Sequence, residues 1–489
     1  MPSGYLQGEI MRQKSLLIIS FFLASVSVNL FCDVTIANKT ILRPQTRWLC
    51  GGVERFNRYN ESTKNQLIRN LQIQASGMYS CSFGKAKAGK LLGFAGKNEI
   101  SIGPGSDYDV NIESIIHKGA NDGTNSPTMR GTLKILPQVK VQGFKLAARK
   151  WMQDFFCEIS TTFEHVENSL GLEVSGETRD SNSLYGILDY FQGDIYALSG
   201  TSRLQDRLAY GKLTNETTDS NFADVSFTVG FDKFFGDKCR AGIYVEGMIP
   251  VSDAKTGIDL FEATVGSGDH VMIGAGTRCV VTVIDDYKYS CGVTGSFVER
   301  YFVEKNEMRT HGISIKDSTN TAFTRGNIAW GHYMLAGIPG EKGLIPLTNV
   351  LTQTTGVRPG METIADFSYF IEGDRGTASV GYRFYARGSD SISVSSWDEN
   401  KYKLIRDPQN YTAGENIAAS GGGYATSPVL IDEEATRAPA TSTHTFYFAG
   451  NFRAPTLPVD FGVGAAMEVA TNNAALNNFE LWSRLSVVF

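Results

Sequence analysis

Six histidines, seven cysteines and a large set of charged side chains are the groups in this 489-residue sequence that could do chemistry. A hydrolase would need a serine or carboxylate within reach of a histidine. A zinc centre would need Cys and His ligands at close spacing. His117, His165, His270, His311, His332 and His444 are scattered, with no tight serine or carboxylate motif beside them. His117, His311 and His332 fall between periodic segments, where a solvated histidine is the ordinary case. No Cys-x-x-Cys pair or Cys/His cluster occurs. Gly103-Pro-Gly-Ser and Gly421 to Gly423 do not sit between a strand and a helix, as a phosphate loop would. No catalytic residue, metal site or cofactor follows from these residues.

The charged residues carry a different pattern, because they recur on one parity of alternating segments. Lys134, Lys140, Glu158, Asp232, Arg240, Glu246, Arg278, Arg300, Asp366, Arg383 and Arg484 share the wet side. Their chemistry would be that of a polar wall: pairing with one another or meeting a passing ion.

The segments that carry them read as strands. Leu71, Ile73, Ala75, Tyr79, Cys81 and Phe83 alternate with Gln72, Gln74, Ser76, Ser80 and Ser82. Successive strand side chains point to opposite faces, so one face is apolar and the other wet. Leu133, Ile135, Val139 and Val141 alternate with Lys134, Gln138, Lys140 and Gln142 in the same way. Further stripes are Phe155 to Phe163, Val225 to Phe231, Ala241 to Ile249, Ala365 to Ile371, Ala378 to Ala386, Phe461 to Val469 and Phe479 to Phe489. A soluble sandwich also alternates. These stripes, however, approach the ~9–11 residues of a tilted membrane strand rather than the usual five or six.

Composition excludes other classes. Hydrophobic residues make up 42% and charged residues 20%, with 51 glycines, which is too polar for a helical membrane protein. The net charge of -5 gives no basic surface for nucleic acid. Arg12 and Lys14 precede the apolar run Leu16 to Ala24, followed by small residues at Ser25 and Ser27. That is the order of a secretory signal peptide, placed at 1–32, with Met11 as an alternative start. No later stretch of ~20 apolar residues could form a spanning helix.

Connections between the stripes alternate in length. Phe235 to Lys238, Asp285 to Tyr287 and Gly373 to Gly376 are tight; stretches near 104–130, 168–222, 304–359 and 389–443 are long. Outer-membrane barrels segregate short periplasmic turns from long external loops in this manner. The expected fold is all-β: a closed antiparallel transmembrane barrel over 70–489, of about 14 strands (range 12–16). The segment 33–69 supplies either a first strand, around Trp48 to Val53, or a plug. An extra strand pair within 304–359 is the other route to an even count, and 389–443 reads as loop alone.

The chain's end strengthens this reading. Phe479, Leu481, Leu485, Val487 and Phe489 alternate up to a terminal aromatic residue, with Ser483 departing from the stripe. This resembles the C-terminal β-signal of Gram-negative bacterial outer-membrane β-barrel proteins, porin-like or fatty-acid-transporter-like, with no narrower family fixed. The resemblance implies a last strand that is read by the outer-membrane assembly machinery and closes the barrel against the first. It also implies contact with outer-membrane lipid and a bacterial outer-membrane location.

The sequence-level expectation is then a non-enzymatic channel for passive passage of small solutes, its lumen lined by the wet parity. Both charge signs occur there, so no strong ion preference is expected. A transporter of hydrophobic ligands, or a non-conducting surface barrel binding partners through its long loops, are the alternatives. Cys279 and Cys291 lie equidistant from the turn at Asp285, which would set them opposite each other for a disulfide. The competing reading is that they are small hydrophobes on the apolar stripe.

Overall fold

The computed structural model describes residues 35–43, 71–118, 127–178 and, apart from short gaps, 185–489. The interior gaps are 196, 200–201, 237, 287, 315–326, 329, 395, 406, 413–414, 419–425 and 455–456. The expected leader, Cys32, Cys50 and the stretch 45–60 lie outside the described residues.

Twelve strands close into one antiparallel barrel, each paired with its neighbours in sequence. They are β1 (Leu71–Phe83), β2 (Gln138–Met152), β3 (Phe155–Ser169), β4 (Glu216–Phe235), β5 (Cys239–Pro250) and β6 (Met272–Asp285). The circuit continues with β7 (Tyr289–Phe302), β8 (Glu362–Gly373), β9 (Gly376–Arg387), β10 (Thr441–Arg453), β11 (Val459–Ala470) and β12 (Asn477–Val488). β12 returns to β1 in unbroken register from Gln72 opposite Val488 to Phe83 opposite Asn477. At Leu71 and Phe489 the backbones exchange N–H···O bonds of 3.2 and 2.8 Å. The terminal aromatic residue thus sits at the seam, and closure leaves no unpaired edge.

Twelve is the lower end of the expected range. Among its described residues, the segment 304–359 contributes no extra barrel pair. Its strands Lys305–Thr310 and Thr352–Arg358 pair with each other, and the latter with Ser391–Val394, in a separate sheet. The segment 389–443, expected as loop alone, carries short strands such as Lys403–Ile405 and Leu430–Asp432.

The two rims differ. Connections 153–154, 236–238, 286–288, 374–375 and 454–458 are tight and share one rim with Leu71 and Phe489. Connections 84–137, 170–215, 251–271, 303–361 and 388–440 are long and share the other rim with the short connection 471–476. The long ones pack together into a cap whose core includes Leu91, Ile100, Ile112, Ile116, Phe191, Tyr333 and Leu344. Burying side chains of this size stabilises by about 1.5–3 kcal/mol each, enough to order loops whose own strands are short. The same apolar cluster runs down onto the inner wall at Met78, Val139, Val141 and Val166.

Candidate functional site in the barrel interior

The outer face of the wall is a continuous apolar surface. Ile73, Leu146, Ile159, Phe227, Ile243, Ile273, Phe367, Val380, Phe448, Phe461 and Leu485 are all exposed. A water-soluble protein does not expose an apolar patch of this extent. Ten residue steps from Phe479 to Phe489, at ~3.3 Å each and tilted by ~40°, span roughly 25 Å, the height of the apolar band on a membrane barrel. No helix among the described residues is long and apolar enough to cross a membrane. Crossing is the work of the strands.

The inner face is lined by polar groups that pair with one another. Near the short-turn rim, Asp232 accepts from Arg278 Nε at 2.9 Å and from Arg240 at 2.8 Å, while Arg149 Nε donates to Glu158 at 2.7 Å. The Arg278 guanidinium lies over the Phe156 ring and that of Arg240 over Trp151, at 4.4 and 4.8 Å. Higher up, Arg300 donates to Glu246 at 2.7 Å and lies 3.8 Å from Glu362, which also accepts from Tyr385. On the adjacent strands β8 to β10, Arg383 and Tyr447 donate to the two oxygens of Asp366, at 2.9 and 2.7 Å. Arg484 donates to Asn451 at 3.0 Å. Burial without such partners would cost several kcal/mol per charge, so pairing is what allows these groups to sit there.

Large inner rings are seated on glycines. Phe156, Tyr244, Phe370, Tyr447 and Trp482 each stand directly across a strand pair from Gly230, Gly276, Gly292, Gly381 and Gly464 respectively. A β-carbon on any of these glycines would meet its ring at 2.2 to 2.8 Å. Each ring therefore lies along the wall where a side chain would otherwise be.

Of the eleven wet-parity residues expected to line the lumen, Glu158, Asp232, Arg240, Glu246, Arg278, Arg300, Asp366, Arg383 and Arg484 lie on the inner parity of barrel strands. Two do not. Lys134 ends the cap strand Arg130–Lys134, outside the barrel, and pairs with Glu99 at 3.1 Å. Lys140 is on the outer parity of β2, in register with Glu167 and bonded to it. The reason is an inversion: where the cap's core reaches the wall, Val139 and Val141 turn inward and the polar parity faces out above the lipid. Arg149, Trp151 and Phe156 also lie on the inner parity of β2 and β3 and were not among the expected residues; the available clue was Arg149 sharing parity with Trp151.

Of the two readings of Cys279 and Cys291, the disulfide is corrected, and the reading of both as unbridged thiols stands. Both thiols are free, Cys279 standing opposite Gly295 and Cys291 opposite Ile284. The hairpin is centred near residue 287 rather than Asp285, and a bulge at Thr282/Ile284 shifts the register further. Among the described residues no group of three or more His, Cys, Asp or Glu side chains is placed to hold a metal ion. His117 and His311 are tied to cap partners, Tyr411 O at 2.9 Å and Thr355 Oγ1 at 2.8 Å.

No known protein family and no curated protein matches the chain. Among solved structures, an outer membrane channel from Pseudomonas putida F1 is similar at TM-score 0.37 and 10% identity, over 86% of this chain and 96% of that one. The translocator domain of the autotransporter NalP from Neisseria meningitidis aligns at TM-score 0.28 and 6% identity, over 90% of this chain and 93% of its own. The NanC porin aligns at 0.27 and 6%, over 85% and 98%. Likenesses this weak carry no function across. The greasy outer wall, the paired inner charges and the segregated rims define the chain by themselves as a closed transmembrane β-barrel of the outer-membrane type.

Proposed function

We propose that this protein passes small solutes passively through its lumen. The observation that supports this reading is the inner wall, where hydrogen-bonded ion pairs of both signs line the barrel and the bulky rings lie against glycines. A barrel serving only as a scaffold would gain more from an apolar filling, since buried ion pairs add little net stability. The mixed signs argue for weak ion preference. Planar-bilayer recording of the refolded protein, with folding checked by heat-modifiable gel mobility, tests the idea. Stepwise conductance with little selectivity is expected; a folded barrel without conductance would overturn it.

A specific observation favours a second reading. Five long connections fold into one cap with its own apolar core, a larger construction than a barrel rim requires. That supports a surface that binds a partner or a hydrophobic ligand. Ligand-dependent protection of the cap, in a barrel that does not conduct, would select this reading over the first.

A further inference from the structure

The described N-terminal stretch, Thr35–Arg43, lies among the long connections, although the first barrel strand starts at the opposite rim. Ile36 exchanges hydrogen bonds with the Asn473 side chain, at 2.8 and 2.6 Å. Lys39 and Thr40 donate from their backbones to Leu91 O and Ala435 O, both at 3.0 Å, and Thr40 Oγ1 donates to Thr310 O at 2.7 Å. Ile41 and Leu42 are buried. Leu71, by contrast, bonds to Phe489 on the short-turn rim. Thr35–Arg43 and Leu71 therefore lie at opposite rims.

Arg43 closes the stretch with a buried charge cluster. It donates to Glu307 at 2.9 Å and Asp390 at 3.3 Å; Arg309 bridges the same two carboxylates at 2.8 and 3.0 Å. His270 Nε2 bonds Glu307, and Arg309 also donates to Thr436 O at 2.9 Å. Burial pushes the Glu307 and Asp390 carboxyls up, but the two guanidiniums outweigh it and hold both below the usual carboxylate range. Three loops and the strap meet at this one point. Arg43 and Arg309 are the cations bonded to both carboxylates, with Lys255 acting on Glu307 and Arg387 on Asp390 from further away.

We propose that Thr35–Arg43 is an integral strap of the protein's external face, delivered to the loop side of the membrane and latched there by Arg43. The proposal rests on the reading of the long connections as external. It makes the strap part of the outer surface, where a segment preceding the first strand would otherwise be expected on the periplasmic side.

The test is sided labelling of the full chain in the outer membrane of a Gram-negative host, using a membrane-impermeant maleimide. Three single variants are compared with the parent for background: Thr35→Cys, the loop control Asp398→Cys and the turn control Asp374→Cys, all exposed positions. Thr35→Cys is expected to label in intact cells as Asp398→Cys does, with Asp374→Cys labelling only after permeabilisation. Thr35→Cys behaving like Asp374→Cys would overturn the proposal alone. Reversed controls would overturn the external-loop reading together with it. As a second readout, Arg43→Ala should raise tryptic cutting after Lys39 in intact cells by about tenfold or more, because breaking a buried ion network frees the local segment. An unchanged rate would remove the latch.

Discussion

The ring of Tyr447 lies over Gly381, the residue directly opposite it across the β9–β10 pair, and a β-carbon on that glycine would stand 2.2 Å from the ring's Cζ. The seating also aims the Tyr447 hydroxyl at Asp366, which it meets at 2.7 Å. Gly381→Ala should therefore lift the ring, stretch the Asp366 bond and cost about 1–3 kcal/mol, as overpacking does. In a Tyr447→Ala background, itself destabilised by loss of the buried ring, the Gly381→Ala change should cost much less than it does alone. The check is the temperature at which the folded band disappears in heat-modifiable gels, for both singles and the double.

Asp232 is the shared acceptor of Arg278 and Arg240. Asp232→Ala would leave both guanidiniums facing the lumen without that carboxylate. Under the channel reading, the variant should shift from near-neutral to anion-selective, seen as a displaced reversal potential in a salt gradient. Removing one side of a buried pair also costs about 3–5 kcal/mol, so folding is verified first. Asp232→Asn, which keeps one acceptor, should show the same selectivity shift with a smaller stability loss.

The cap should loosen as pH falls. Burial lowers His332 to about 3 and His311 to about 4, from an ordinary 6.5. Between those values and 6.5 the unfolded cap binds more protons than the folded one, so stability rises with pH across that window and is lost on acidification. Glu307 and Asp390, held low, contribute in the same direction at still lower pH, since their stabilisation is lost as they protonate. Burial raises the Asp432 carboxyl of the cap, which contributes the opposite slope. The histidine share is therefore read by comparing proteolysis or amide exchange of the loops with and without His332 from about pH 7 to about pH 4. His332→Phe should flatten the upper part of that profile. A profile unchanged by that substitution would contradict the histidine assignment.

Cys279 and Cys291 should stay reduced. Their opposite residues are Gly295 and Ile284, four or more positions from where a bridge would need them, and a disulfide requires Cα atoms within about 7 Å. Denatured protein should migrate identically with and without reductant, and both thiols should react with maleimide once unfolded.

Period-two alternation is a local property, and it is what the amino-acid order determined by itself. The stripes from Leu71, Phe155, Ala365 and Phe479 name the lipid-facing side because each side chain's direction follows from its neighbour's. The segregation of short and long connections, and the terminal stripe ending at Phe489, follow from the chain in the same way. Closure was decided elsewhere. The number twelve, the bulge between Phe222 and Val225 that resets parity in β4, and the off-centre β6–β7 hairpin all arise from how strands register around a closed circuit. No single segment encodes that register. The inward turn of Val139 and Val141 needed the cap's apolar core above them, which is assembled from distant loops. The pairing of Gly381 with Tyr447, and the meeting of Arg43 with Glu307, Arg309 and Asp390, join residues tens to hundreds of positions apart. Such contacts exist only once the barrel has closed, because closure alone fixes which residues stand side by side.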